Sequence, residues 1–105
     1  MYWKIGADKR YVKLLNELEY LNGMVLANIW YEDVIASINP ETGEIEQVLD
    51  FRELWPISQR TNLTHEVDCF NGISSTDVDG ELFVTGKWWP KIYRVKLHNF
   101  RFSLI

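Results

Sequence analysis

The sequence predicts an all-β fold: a partial β-propeller of about two four-stranded antiparallel blades. Three observations carry that expectation. Short apolar runs are separated by strong turn signals, the aromatic content is high, and a strand–hairpin–strand unit occurs twice. Large aromatic and β-branched side chains suit a pleated surface packed on another sheet.

The strands follow in order. Asn22-Gly23 is a two-residue hairpin signal between Glu17–Leu21 and Met24–Ile29. Asn39-Pro40-Glu41-Thr42-Gly43 marks a second turn, between Val34–Ile38 and Ile45–Leu49. Asp77-Val78-Asp79-Gly80 marks a third, ahead of Glu81–Thr85. Lys91–Leu97 then sets Ile92, Tyr93, Val95 and Leu97 among basic residues. Asp50–Trp55 suits a single helical turn, capped by Asp50 and stopped by Pro56. Ile57 to Asp68 is polar and irregular, a long connection. A strand from Tyr11 to Leu15 is expected to be the outer strand of a preceding unit.

The repeat is read by aligning Gly23 with Gly80, 57 residues apart. Val25-Leu26-Ala27 then lies over Leu82-Phe83-Val84, Ile35 over Ile92, and Ile38 over Val95. Asn16 and Asn71 each open the strand that runs into the aligned hairpin. One repeat is a strand, a tight hairpin, a strand, a short loop and a strand, with Ile45–Leu49 as a fourth strand in the first copy. Blades packed on both faces need not alternate cleanly, which suits the nearly all-apolar Met24–Ile29. The expected organisation is one partial domain over 1–105: a penultimate blade with its preceding strand at 11–56, a connecting loop at 57–70, and a last blade at 71–105.

The formal charge is −4 with a pI near 5.1, so there is no basic footprint for nucleic acid. The cations are scattered, with no membrane-surface patch, and no apolar run reaches the roughly 20 residues of a span. Neither nucleic acid nor membrane is an expected partner. Met1-Tyr2-Trp3-Lys4 lacks the apolar stretch of a signal peptide. Cys69 is the single cysteine, read as a small buried hydrophobe. Asn62-Leu63-Thr64 fits a glycosylation triplet. His65 and His98 have no metal or triad spacing around them.

The alignment also sets Trp30 over Lys87, each just after the second strand of its unit. In a hairpin, the start of one strand lies beside the end of the next. Asn16 is therefore expected beside Trp30, and Asn71 beside Lys87. Two amides, an indole and an ammonium would share one end of the channel. Singly, each has an ordinary explanation. Trp30 suits packing, Lys87 a surface cation on a ring, the asparagines turn positions, and Glu17 and Glu19 a solvated strand face.

Five co-linear segments carry a resemblance: Leu15-Asn16-Glu17-Leu18-Glu19-Tyr20, Ala27-Asn28-Ile29-Trp30, Ile38-Asn39-Pro40-Glu41-Thr42-Gly43, Asn71-Gly72-Ile73, and Phe83 through Lys91. From about Val12 to His98 the chain resembles the plant and bacterial type of glutaminyl-peptide cyclotransferase. The resemblance implies a five-bladed propeller, of which this chain would be the last two blades. It implies an acyltransferase that cyclises the N-terminal glutamine of a peptide or protein to pyroglutamate, releasing ammonia. Carried over by motif, Asn16 and Lys87 would be catalytic, with Trp30, Asn71 and Trp88 binding substrate. No cofactor and no catalytic zinc is implied, and the family suggests a secretory or extracellular setting. The family's acid–base glutamate belongs to earlier blades, and nothing in this chain matches its segment. Trp88 also stands where the family more often has a smaller apolar residue. The rival expectation is a non-catalytic two-blade module that joins missing blades, or copies of itself, through its edge strands and binds peptides.

Overall fold

The computed structural model describes residues 3–5, 10–12, 14–60, 67–98 and 101–105. The fold is all-β. Among the described residues ten strands form two sheets: β1 (Trp3–Ile5), β2 (Arg10–Val12), β3 (Leu15–Leu21), β4 (Met24–Ile29), β5 (Val34–Ile38), β6 (Glu44–Asp50), β7 (Phe70–Ser75), β8 (Glu81–Gly86), β9 (Tyr93–His98) and β10 (Arg101–Leu104). The first sheet runs β2-β1-β6-β5-β4-β3 and the second β10-β9-β8-β7. In each, four consecutive strands form an antiparallel meander; β1 adds to the edge of β6 in parallel.

Local chemistry explains the hairpins. Asn22 and Gly23 both have positive φ, 50° and 81°. Two consecutive left-handed residues make the turn whose twist matches the flanking strands, and Asn and Gly are the residues that tolerate it. At the second turn Asn39 folds its carboxamide onto the chain, accepting from the Glu41 N–H at 2.9 Å.

The 57-residue offset reappears in the strand registers. Val25 pairs with Ile38 as Leu82 pairs with Val95. The first strands carry matching bulges. Between the pairs Leu15–Ile29 and Leu18–Ala27, Asn16 and Glu17 oppose Asn28 alone. Between Phe70–Gly86 and Ile73–Val84, Asn71 and Gly72 oppose Thr85 alone. Such a bulge bends its strand and re-aims its side chains.

The sheets face each other across an apolar core. Leu26, Ile35 and Leu49 of the first sheet meet Phe70, Leu82, Val84 and Val95 of the second, with Phe51 and Leu54 from the connection. Phe51 stacks on Phe70 and on Phe102 of β10. Burying each such side chain contributes about 1.5–3 kcal/mol. Cys69 is buried at the rim, as its composition suggested.

Four expectations are corrected. Tyr11–Leu15 is not one strand: β2 ends at Val12, and Leu14 has a φ of 66°, which breaks the extended run before β3. Lys91 and Ile92 precede β9 rather than open it, and Lys91 instead offers its carbonyl to the Thr85 hydroxyl at 2.7 Å. The connection is not wholly irregular. A 3-10 turn spans Ile57–Gln59, and Pro56 leads into it rather than stopping a helix, its missing N–H being unneeded there. Glu19 is not simply solvated: its carboxylate accepts the Ser75 N–H at 2.7 Å, tying β3 to the end of β7. The glycosylation triplet and His65 lie outside the described residues.

The connection supplies a buried polar link. Arg60 pairs with Asp33 at 2.8 Å, both side chains 9% exposed. Its Nε donates to the Trp55 carbonyl at 2.8 Å. The guanidinium lies 4.5 Å from the Trp89 ring centre, and Trp55 meets Trp89 edge-on at 5.0 Å. Trp89 in turn donates its indole N–H to the Asp68 carbonyl at 2.8 Å.

Gly86 makes room for this arrangement. A Cβ there would fall 2.1 Å from the Trp89 ring. Gly86→Ala should therefore displace Trp89 and cost about 1–3 kcal/mol, read as a lower urea midpoint. A smaller effect belongs to Asp50. Arg52 bonds its carboxylate and holds its carboxyl below the ordinary value of 3.8. A lowered folded value means the contribution is full above pH 3.8 and is lost as pH falls through the folded value. Asp50→Asn should lower the melting midpoint slightly at pH 7, and the gap should narrow in acid. The pair is exposed, so the shift is small.

Candidate functional site

The candidate site lies at the end of the sheets where β4 and β8 finish. Each strand ends in the same turn. The Glu32 N–H donates to the Ile29 carbonyl at 3.0 Å, and the Trp89 N–H donates to the Gly86 carbonyl at 3.2 Å. Trp30 and Lys87 are the second residues of these turns. Tyr31 and Trp88 are the third, with φ of 68° and 64°. A positive φ at the third position is the type II pattern, where glycine is usual. Two bulky aromatics in the left-handed region are costly, and such strain concentrates at ligand sites.

The turns bring Trp30 and Lys87 together. The Lys87 ammonium lies 5.3 Å from the Trp30 ring centre, a cation–π contact between the two sheets. Lys87 is fixed by its backbone: its N–H donates to the Cys69 carbonyl at 2.9 Å, and its carbonyl accepts the Asp68 N–H at 2.8 Å. Tyr31 stacks on the other aromatic member, 4.8 Å from Trp30 and 13° from parallel. The ring under the Lys87 cation is thus Trp30, of the other sheet.

The asparagines are placed differently. Trp30 donates its backbone N–H to the Leu14 carbonyl at 2.8 Å, so Leu14 stands opposite Trp30 and Asn16 opposite Asn28. Cys69 likewise stands opposite Lys87, with Asn71 in the bulge beyond it. Each asparagine therefore lies two residues further along its strand than the place opposite its turn residue, where it was expected. Asn71 is buried and Asn16 exposed. The difference follows from packing: Asn71 has the first sheet against it, and among the described residues no sheet packs on Asn16. Trp88 is exposed at the tip of its turn.

Asn28 was missed as a site residue. It is fully buried, and its Oδ1 accepts the Gly72 N–H at 2.9 Å, joining β4 to the β7 bulge. Its place in the Ala27-Asn28-Ile29-Trp30 segment was the available signal. Among the described residues three buried polar atoms here have no protein partner: Asn28 Nδ2, Trp30 Nε1 and Asn71 Oδ1. Of the nearby carboxylates, Asp33 is held by Arg60, Asp68 by the Cys69 N–H, and Glu19 by the Ser75 N–H. Among the described residues no group of three His, Cys, Asp or Glu is arranged to hold a metal, and no helix is long and apolar enough to cross a membrane.

The family model described as Glutamine cyclotransferase covers residues 2–97. The chain belongs to the glutamine cyclotransferase family. It is similar to a glutaminyl-peptide cyclotransferase of Arabidopsis thaliana, 42% identical over 90 residues, which are 84% of this chain and 27% of that protein. It is also similar to the crystal structure of Myxococcus xanthus glutaminyl cyclase, with a TM-score of 0.75 and 30% identity over 98% of this chain and 42% of that one. The chain thus spans about a quarter of the curated relative and under half of the solved one.

Proposed function

We propose that this chain supplies the C-terminal half of a pocket that cyclises N-terminal glutamine to pyroglutamate. Its two meanders are blades of a propeller, and the connection around 57–70 links the penultimate blade to the last. The observation that carries the reading is the Lys87 ammonium set over Trp30 across the two sheets.

The chemistry suits these groups. The substrate's α-amine attacks its own side-chain amide carbon, so a new C–N bond closes a five-membered ring. The old C–N bond breaks and ammonia leaves. The nucleophile is intramolecular, and the pocket's main task is to hold a folded conformer. Trp30 walls the aliphatic stem. Lys87 donates to the amide oxygen as negative charge develops there, and Asn16 and Asn71 orient the polar ends of the substrate. Trp88, at the tip of its turn, borders the entrance. The amine must lose a proton and the leaving nitrogen must gain one. That acid–base group comes from the part of the family fold that this chain does not span.

Exposed Asn16 agrees with this arrangement, being the counterpart of Asn71 without a sheet packed against it. A chimera tests it: residues 1–105 replacing the matching segment of the Arabidopsis relative. The chimera should release ammonia and form pyroglutamate from a glutamine-led peptide. A folded chimera with no activity would overturn the assignment.

A further inference from the structure

A cavity of about 370 Å3 lies beside the candidate site, between Tyr31 of the first turn and the chain that leads into β7 at Val67 and Asp68. Trp30 and Lys87 each touch a residue that lines it. Tyr31 stacks on Trp30 at 4.8 Å, and the Asp68 N–H donates to the Lys87 carbonyl at 2.8 Å. Adjacent residues of a peptide are about 3.8 Å apart at Cα. A glutamine held by Trp30 and Lys87 therefore brings the next side chain within reach of this cavity.

The lining decides what fits. Arg60 and Asp33 neutralise each other at 2.8 Å, each 9% exposed, and the guanidinium also bonds the Trp55 carbonyl. Asp68 is different. It is exposed, and the Cys69 N–H takes one of its oxygens at 2.7 Å, which leaves further acceptor positions on the carboxylate. Tyr31 and Ile57 are 66% and 71% exposed, so an aromatic ring and an aliphatic side chain stand open in the same cavity. These groups suit a cation on an aliphatic stem. The stem lies along apolar surface, and the head meets the carboxylate and the ring. An acidic side chain would meet repulsion from Asp68 instead.

We propose that this cavity is a specificity subsite for the residue that follows the N-terminal glutamine, and that Asp68 and Tyr31 select a lysine or arginine there. This rests on the peptide-pocket reading above and deepens it.

The test is a proton–nitrogen correlation titration of the full chain with the tripeptides Gln-Lys-Ala, Gln-Leu-Ala and Gln-Glu-Ala. The Trp30 indole reports the glutamine pocket, and the Asp68 and Cys69 backbone amides report the subsite. Gln-Lys-Ala should bind about three- to tenfold more tightly than Gln-Leu-Ala, with Gln-Glu-Ala weakest, and should shift the Asp68 and Cys69 amides most. Asp68→Asn keeps an oxygen for the Cys69 N–H and the backbone bond to Lys87, and should abolish the preference. Glu32→Gln removes an exposed charge next to Tyr31 but outside the cavity, and should leave the preference intact. Equal affinities for the three peptides, with a moving Trp30 signal, would overturn the subsite and leave the pocket reading standing. A lysine preference that survives Asp68→Asn, or that Glu32→Gln abolishes as well, would reduce it to the general attraction of a chain of charge −4 for cations and also overturn the proposal. If no peptide moves the Trp30 signal, both readings fail.

Discussion

Replacing Lys87 by alanine in the chimera is expected to lower turnover by about 10²–10³-fold, the usual cost of deleting one donor to a developing oxyanion. KM should change less, because the ammonium acts mainly as charge builds on the amide oxygen. The fold should survive. The Lys87 side chain contributes a cation–π contact to Trp30, worth about 0.5–2 kcal/mol, while its backbone bonds to Asp68 and Cys69 do not depend on it. Lys87→Arg keeps the charge on a longer, planar fork and should recover part of the rate. Steady-state kinetics on the three proteins provides the check. An unchanged rate for Lys87→Ala would remove Lys87 from the reaction and leave it as a packing cation.

The largest stability effect is expected at the pair Arg60–Asp33. Removing one member leaves a charge buried without its partner, at a cost of about 3–5 kcal/mol. Arg60→Ala should lose more than Asp33→Ala, because Arg60 also bonds the Trp55 carbonyl and lies over the Trp89 ring. Replacing both members with apolar residues, Arg60→Met with Asp33→Leu, should recover much of the loss, since no lone charge then remains. Urea unfolding of the two single variants and the double variant would measure this. Additive losses would show that the two side chains act independently. The effect also bears on the site: Arg60 steadies Trp89, and Trp89 ends the turn that carries Lys87.

Much of this was legible in the sequence, for identifiable reasons. Turn chemistry is local, so Asn22-Gly23 and Asn39–Gly43 located β3 to β6 to within two residues. The repeat offset is a sequence property, and it sets Trp30 and Lys87 at matching positions after the second strand of each unit. What the sequence hid was non-local. Arg60 lies 27 residues from Asp33 and sits in a stretch that reads as polar loop. Its role appears only when both sheets close around it. The bulges were hidden for another reason: an extra residue in a strand leaves no compositional mark, and Asn16 and Asn71 lie opposite Asn28 and Thr85 rather than Trp30 and Lys87. β10 escaped notice because Arg101–Leu104 is short and follows no strong turn signal. Asn28 was not singled out in the nearly all-apolar Met24–Ile29, and its bond to Gly72 shows what it does there.

The central claim is the proposal that these residues hold substrate while the acid–base group comes from the part of the relatives that this chain does not span. The most direct measurement is ammonia release from a glutamine-led peptide by the purified 105-residue chain, with its mass in solution determined on the same sample. The account predicts no release above the uncatalysed rate by the chain alone, and release by the chimera. A stable monomer of the chain alone that turns over peptide at the chimera's rate would contradict it.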